Sequence, residues 1–262
     1  MVSMFSLEGK NAAVVGGASG IGEAVATAFA EHGASVLCLD VDIAGALDTA
    51  ATITEMGGEA DAGQLNILDG EAVTAAFESF NVKKGSLDIV VCTPGVNVRK
   101  PILEYTDEDI DRVLGVNLKG NAHVIQAAGR IMTSQESGSI ILFSSIRSVV
   151  VEPGQSLYAA TKAGIVQMVR TAAAELGPSG VRVNAIAPGV IDTPLTAPIK
   201  DNPAWYSAYA ERNIFKRWAG AREMAGPTVF LASEAASYVT GTVLFADGGW
   251  TAIDGRFTPP GM

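Results

Sequence analysis

Short, nearly continuous apolar runs alternate along the chain with longer stretches in which apolar residues recur at helical spacing. The runs NAAVVGG (11–17), ASVLCLD (34–40), LDIVVCT (87–93), GSIILFSS (138–145), VRVNAIAP (181–188) and TVLFADGG (242–249) predict strands, and QLNI (64–67) predicts a further short one. Strands that are apolar on both faces suit a parallel sheet covered by helices above and below. Between them GEAVATAFAEHG, EAVTAAFESFN, DIDRVLGVNLKGNAHVIQAAGRIM, YAATKAGIVQMVRTAAAELG and AREMAGPTVFLAS carry helical periodicity. This alternation predicts an α/β fold: one doubly wound parallel sheet, Rossmann-type, with right-handed crossovers and helices on both faces. No repeat, linker or low-complexity stretch divides the chain, so residues 1–262 are expected to form a single domain.

Composition narrows the function classes. Apolar residues make up 48% and charged residues 18% of the 262, which suits a densely packed globular enzyme and argues against disorder. A formal charge of −10 disfavours nucleic acid, whose phosphates need clustered Lys and Arg. The start MVSMFSLEGK lacks a basic segment followed by a long apolar stretch, and no window is apolar enough to span a membrane. Cys38 and Cys92 lie inside apolar strand-like runs and read as buried reduced thiols, which points to the cytoplasm. His32 and His123 have no metal-ligand spacing, so no metal is expected. The acids of EYTDEDIDR (104–112) fit a helix N-terminus capped by Thr106.

The first candidate chemistry is VVGGASGIGEAVA, a glycine-rich turn between the first strand and the first helix. Glycines there allow close backbone approach to a pyrophosphate, and the helix start offers free N–H groups. Gly16, Ser19, Gly20, Ile21 and Gly22 are therefore candidate cofactor residues. The second strand ends in Asp40, placed to accept hydrogen bonds from ribose hydroxyls and to repel a 2′-phosphate, while Ser19 and Val41 offer that phosphate no cation. NAD is the expected cofactor.

A second cluster lies in SSIRSVVVEPGQSLYAATK (144–162), where Tyr158 and Lys162 share a helix face and Ser145 follows the apolar run 140–143. The glycine segment 16–22 together with Tyr158-x-x-x-Lys162 resembles the short-chain dehydrogenase/reductase family, and the similarity runs from LEGKNAAVVGG to GTVLFADGG. The resemblance implies that Ser145 is the catalytic serine, Tyr158 the proton donor or acceptor, Lys162 the lysine that holds the ribose, and Asn117 the asparagine of the proton relay. It also implies that Asn66 and Ile67 frame adenine, and that the Ile191 backbone and Thr193 hydroxyl face the nicotinamide carboxamide. A free tyrosine, with a pKa of about 10, is a poor base near neutrality, so Lys162 is expected to favour the phenolate. Hydride then moves between cofactor and substrate carbon while Tyr158 handles the proton.

Three positions depart from the family pattern. Val15 stands where a threonine is usual, Asn66 where an aspartate is usual, and Cys92–Thr93–Pro94–Gly95 replaces an Asn-Asn-Ala-Gly segment. The last change supports the competing reading, a redox-silent dinucleotide-binding or regulatory protein that keeps the fold. The intact Asn117, Ser145, Tyr158 and Lys162 oppose it.

The substrate side rests on three stretches. Residues 194–217, rich in Pro and aromatics, resemble the family's variable substrate lid, with Trp205, Tyr206 and Tyr209 packing it down. The tail, about 250–262, resembles segments that cover a neighbouring subunit. Helices around 107–132 and 158–177 carry Ala, Val, Ile and Met on more than one face, and the family pairs them between subunits, so a homotetramer is expected. Arg99, in GVNVRKP, matches an arginine that meets the substrate carboxylate in members of the gluconate 5-dehydrogenase type, and Arg147 adds a second cation. The alternative is that both pair with acids such as Glu104 or Glu152. The expected substrate is a small secondary alcohol or ketone, of the sugar-acid or polyol class, bound by Arg99, Ser145, Arg147 and Tyr158.

Overall fold

A computed structural model describes residues 3–253. The strands β1 (Asn11–Val15), β2 (Ser35–Asp40), β3 (Glu59–Gln64), β4 (Ile89–Cys92), β5 (Gly138–Phe143) and β6 (Val181–Pro188) are followed by a separate short pair, β7 (Ile191–Asp192) and β8 (Ala219–Gly220), and then by β9 (Val243–Ala246). The main sheet has seven strands in the order β3-β2-β1-β4-β5-β6-β9, and every pairing in it is parallel. The helices are α1 (Gly20–Glu31), α2 (Ile43–Glu55), α3 (Gly70–Lys84), α4 (Asp107–Leu114), α5 (Asn121–Gln135), α6 (Ser156–Leu176), α7 (Ala197–Lys200), α8 (Pro203–Ala210) and α9 (Ala225–Ala232). The expected tail cover lies, beyond Ile253, outside the described residues.

Alternate strand residues feed two cores, as the pleat requires. Ala13, Val15, Val90, Cys92, Ile140 and Leu142 pack with Phe77 of α3, Val124 and Met132 of α5 and Ile165 of α6. Their neighbours Ala12, Val14, Ile89, Val91, Ile141 and Phe143 pack on the other face with Val25 and Phe29 of α1 and Val229 of α9. The strand order reverses between β1 and β4, which opens a crevice at the C-terminal strand ends, where open α/β sheets bind ligands.

Four segments differ from the sequence expectation. The third strand is EADAGQ, ending where QLNI begins; as the edge strand it pairs only with β2 and needs no apolar run. Leu65 and Ile67 of QLNI are instead buried loop anchors. Helix α2 was not expected, because its buried stripe of Ala46, Thr49, Ala50 and Ile53 has helical spacing but small side chains. Residues 194–217, expected as a loop, carry the two short helices α7 and α8.

The long helix expected over 109–132 is broken. Helix α4, capped by Thr106 through a reciprocal box with Asp109, passes into a π-helical turn, Gly115–Gly120, before α5 begins. Gly120 packs closely there: a Cβ would come within 2.5 Å of Ile67 Cδ1, so a larger residue would have to displace the Ile67 side chain. The widened turn buries Asn117 completely and aims it at the segment after β4. Its Oδ1 accepts from the Val96 N–H at 2.8 Å, and its Nδ2 donates to the Val96 carbonyl at 2.9 Å and to Thr161 Oγ1 at 3.0 Å.

Asn117→Ala should therefore leave both Val96 backbone groups without partners and lower stability by about 2–4 kcal/mol. Denaturant unfolding checks this; a loss below about 1 kcal/mol would show that Asn117 braces nothing.

Candidate active site

The crevice at the switch point is a cavity of about 350 Å³, lined by the glycine turn, by the ends of the strands beside it and by the start of the lid. Gly16, Ser19, Gly20, Ile21, Gly22, Asp40, Asn66, Ile67 and Thr193 all line it. Gly16 and Gly20 have φ of 85° and 57°, and a Cβ at Gly22 would lie 1.9 Å from the Gly16 carbonyl oxygen. Ser19 caps α1 without a side-chain hydrogen bond to the helix. The turn thus brings bare backbone and the uncapped helix start to the cavity, which fits a pyrophosphate.

At the β2 end, Asp40 Oδ2 accepts from the Ala18 N–H and Oδ1 from the Asp42 N–H, both at 3.1 Å. A carboxylate accepts about four hydrogen bonds, so capacity is left for ribose hydroxyls. Among the described residues, no Lys or Arg lines this cavity. Asn66 turns its Oδ1 to the Leu68 N–H at 3.0 Å, while the Ile67 carbonyl is met by His123 Nδ1 at 2.8 Å. Ile191 is buried in the core, and its carbonyl accepts from Thr196 Oγ1 at 2.7 Å.

Ser145, Tyr158 and Lys162 come together beside this cavity. Lys162 is 3% exposed and sends Nζ to the Phe143 carbonyl at 2.8 Å, while Ser144 Oγ donates to the Lys162 carbonyl at 2.8 Å. The two bonds fasten α6 to the end of β5. Lys162 Nζ stands 5.5 Å from the Tyr158 ring centroid and lies behind Gly95, whose Cβ, if present, would be 3.1 Å from it. Ser145 Oγ accepts from the Arg147 N–H at 3.2 Å.

A second cavity, about 270 Å³, holds Ser145 and Tyr158 and adjoins the first at Leu195 of the lid. Arg99, Arg147, Trp205 and Tyr209 also line it.

A family model described as Enoyl-(Acyl carrier protein) reductase matches residues 16–251. The 3-oxoacyl-(acyl-carrier-protein) reductase of Thermotoga maritima is 37% identical over 244 residues, covering 93% of this chain and 98% of that protein. The 2-dehydro-3-deoxy-D-gluconate 5-dehydrogenase of Pseudoalteromonas atlantica is 35% identical over 254 residues, covering 95% and 99%. The crystal structure of a gluconate 5-dehydrogenase from Burkholderia cenocepacia, in complex with NADP and tartrate, matches with a TM-score of 0.92 at 31% identity, covering 96% of this chain and 99% of that one. The chain belongs to the short-chain dehydrogenase/reductase family. Like its relatives it is an oxidoreductase that moves hydride between a nicotinamide dinucleotide and a secondary alcohol or ketone.

Within this family frame the departure at Cys92–Gly95 is compensated locally. Thr93 Oγ1 donates to the Val15 carbonyl at 3.0 Å and lies 3.4 Å from that of Gly16, so it ties β4 to the glycine turn. These bonds brace the segment against β1 and the glycine turn, which weakens the feature that favours a redox-silent protein. Cys92 and Cys38 are buried and free, and burial pushes each thiol up to about 12.

The electrostatics differ from expectation in one respect. Desolvation raises the Tyr158 phenol above its ordinary value, opposed by the Ser145 hydroxyl and the Arg147 charge rather than by Lys162. Lys162 directs its Nζ at the Phe143 carbonyl, and burial pulls its ammonium down to about 8.

The arginines of this dehydrogenase/reductase meet one carboxylate. Arg99 Nη1 reaches Glu152 Oε1 at 2.6 Å, and Arg147 Nη2 pairs with Glu152 Oε2. Tyr209 of α8 donates its hydroxyl to Glu152 at 2.6 Å, and Gln155 Nε2 donates to Glu152 Oε2 at 2.8 Å. Arg99 also stacks on Trp205 at 5.0 Å and Arg147 on Trp250 at 5.5 Å. The pairing with Glu152 is the alternative that the sequence offers, yet Arg147 is 8% exposed and lines the second cavity instead of the outer surface. The roles of Gln155 and of the Tyr209 hydroxyl had no sequence signal, since their partners come from distant elements.

Replacing Lys162 by Met removes the buried ammonium. Above about pH 8 the folded protein has released that proton while the unfolded chain keeps it up to the ordinary lysine value of 10.5, so this group adds stability as pH rises through the window. Between pH 7 and pH 10 the wild type should gain about 2 kcal/mol on Lys162→Met in denaturant unfolding. A difference that stays constant over that range would contradict a buried, desolvated lysine.

Proposed function

We propose that this chain is an NAD-preferring dehydrogenase/reductase of the cytoplasm that interconverts a secondary hydroxyl and a ketone on a sugar acid or a related polyhydroxylated acid. The observation that carries the reading is the cleft that holds Ser145, Tyr158, Arg99 and Arg147 together. A bound carboxylate would meet guanidinium groups, whose planar donors suit bidentate recognition, while the carbinol end would meet Ser145 and Tyr158. Two relatives named for gluconate-type substrates point to the same class.

In this reading the backbone of Gly16, Ser19, Gly20, Ile21 and Gly22 holds the pyrophosphate, Asp40 the adenosine ribose, and Asn66 and Ile67 the adenine. Thr193 and the Ile191 backbone meet the carboxamide, and Lys162 with Tyr158 holds the nicotinamide ribose. The cofactor, when bound, supplies the hydride acceptor or donor. Ser145 hydrogen-bonds the substrate oxygen, and Tyr158 takes its proton on oxidation or returns it on reduction. Asn117 serves the proton relay by holding the Val96 segment beside Lys162.

The cofactor preference rests on charge. A 2′-phosphate near Asp40 would meet a carboxylate and, among the described residues, no lining cation. Cytoplasmic location is supported by the free, buried Cys38 and Cys92. A homotetramer is supported by apolar residues left partly exposed on α5, such as Ile125 and Ile131, and by Leu114, which is 37% exposed.

Absorbance at the reduced-nicotinamide band, followed across hydroxy acids and neutral polyols with NAD and NADP side by side, tests the reading. Turnover should be best with an acidic polyol and NAD, and Asp40→Ser should narrow the NAD preference by about tenfold or more, as expected when one like charge is removed. Preference of the unaltered enzyme for NADP would overturn the cofactor assignment, and turnover confined to neutral alcohols would overturn the substrate class.

A further inference from the structure

The substrate cleft is lined by two charged side chains, Arg99 and Arg147, and both are held by the same carboxylate. Glu152 sits outside the lining, with its side chain 21% exposed, and receives four groups: the two guanidiniums, the Tyr209 hydroxyl from the lid helix α8, and the Gln155 amide. Gln155 is in turn held by Asn97 Nδ2 at 3.0 Å. Burial raises the Glu152 carboxyl, but the Tyr209 phenol and the two arginines outweigh it and hold it below the usual glutamate range. It is therefore an anion at neutral pH.

Two cations and one anion leave a net charge of +1 at this end of the cleft. Each guanidinium has five N–H donors in a fixed fork. Among the described residues, Arg99 spends side-chain bonds on Glu152 and Tyr209, and Arg147 on Glu152. Donors thus remain for a ligand, while Glu152 sets both the orientation of the forks and the charge they present. The aromatic planes of Trp205 and Trp250 hold the guanidiniums from the other side.

We propose that Glu152 is a specificity-determining residue: it cancels one of the two arginine charges so that the cleft selects a substrate bearing one carboxylate and rejects a dianion. The inference rests on the reading that this cleft takes an anionic substrate. Glu152 does not touch the reacting atoms; it acts through Arg99 and Arg147. Without its charge, the same forks would face the ligand with a net +2 and would favour a second negative charge.

The test compares gluconate with glucarate, which differ by one terminal carboxylate. Binding to the full-length enzyme is read by quenching of tryptophan fluorescence, because Trp205 and Trp250 stand over the two guanidiniums, and turnover is followed separately. Glu152→Gln keeps the size and a hydrogen-bond acceptor for Tyr209, and should shift the ratio of glucarate to gluconate affinity toward glucarate by about tenfold or more. In turnover the same shift should appear in KM more than in kcat. Glu152→Asp, which keeps the charge, should hold the ratio near that of the wild type. If Glu152→Gln does not fold, Arg147→Gln gives the opposite test: a cleft of zero net charge should lose gluconate binding about tenfold relative to a neutral polyol. A ratio unchanged within about twofold in Glu152→Gln, or unchanged gluconate selectivity in Arg147→Gln, overturns the assignment. Failure to turn over any hydroxy acid while the binding shift persists would instead overturn the proposed reaction and leave the role of Glu152 standing.

Discussion

A single buried ammonium ties α6 to the sheet. Lys162 donates to the Phe143 carbonyl at the end of β5, and Ser144, the next residue, donates back to the Lys162 carbonyl. These reciprocal bonds fix the rotation and depth of α6 against the strand. Ser145 follows the strand and Tyr158 lies one helical turn before Lys162, so fastening the two elements also sets where the serine and the phenol meet. The arrangement costs stability, because burial strips the ammonium of water and pulls its pKa down to about 8.

Around this fastening the chain separates its charges. The protein carries a net −10, and the cavity at the switch point has Asp40 at one end without a lining cation among the described residues. The adjoining cleft is built the other way, with Arg99 and Arg147 at its wall. The two cavities meet at Leu195, and the lid that joins them is anchored by the Tyr209 bond to Glu152 and by Tyr206 stacked on Trp218 at 5.1 Å. One carboxylate therefore joins both arginines of the cleft to helix α8.

Much of this was legible in the sequence. The apolar runs at 181–188 and 138–145 mark β6 and β5 closely, because central parallel strands are buried on both faces and need continuous apolar side chains. Edge and small-residue elements were not legible for the same reason. EADAGQ pairs on one side only, and the buried stripe of α2 is largely Ala and Thr. The π turn at Gly115–Gly120 was hidden because the apolar periodicity continues on both sides of it, and only tertiary bonding by Asn117 shows its purpose. The glycine turn and the Tyr158–Lys162 pair were found because their constraints are local, a backbone approach and a shared helix face. The partner of both arginines was decided by three-dimensional packing, and so was the direction of the Tyr158 pKa, where desolvation outweighs neighbouring charge.

The account holds that Ser145 and Tyr158 act on one substrate oxygen as a unit fixed by Lys162. Single-turnover rates of hydride transfer for Ser145→Ala, Tyr158→Phe and the double variant test this directly, with cofactor and substrate saturating. Groups that act as a unit lose their effect together, so the double variant should be no more than about threefold slower than Tyr158→Phe alone. Losses that multiply across the two substitutions would show that the serine and the tyrosine work independently, and would contradict the single site.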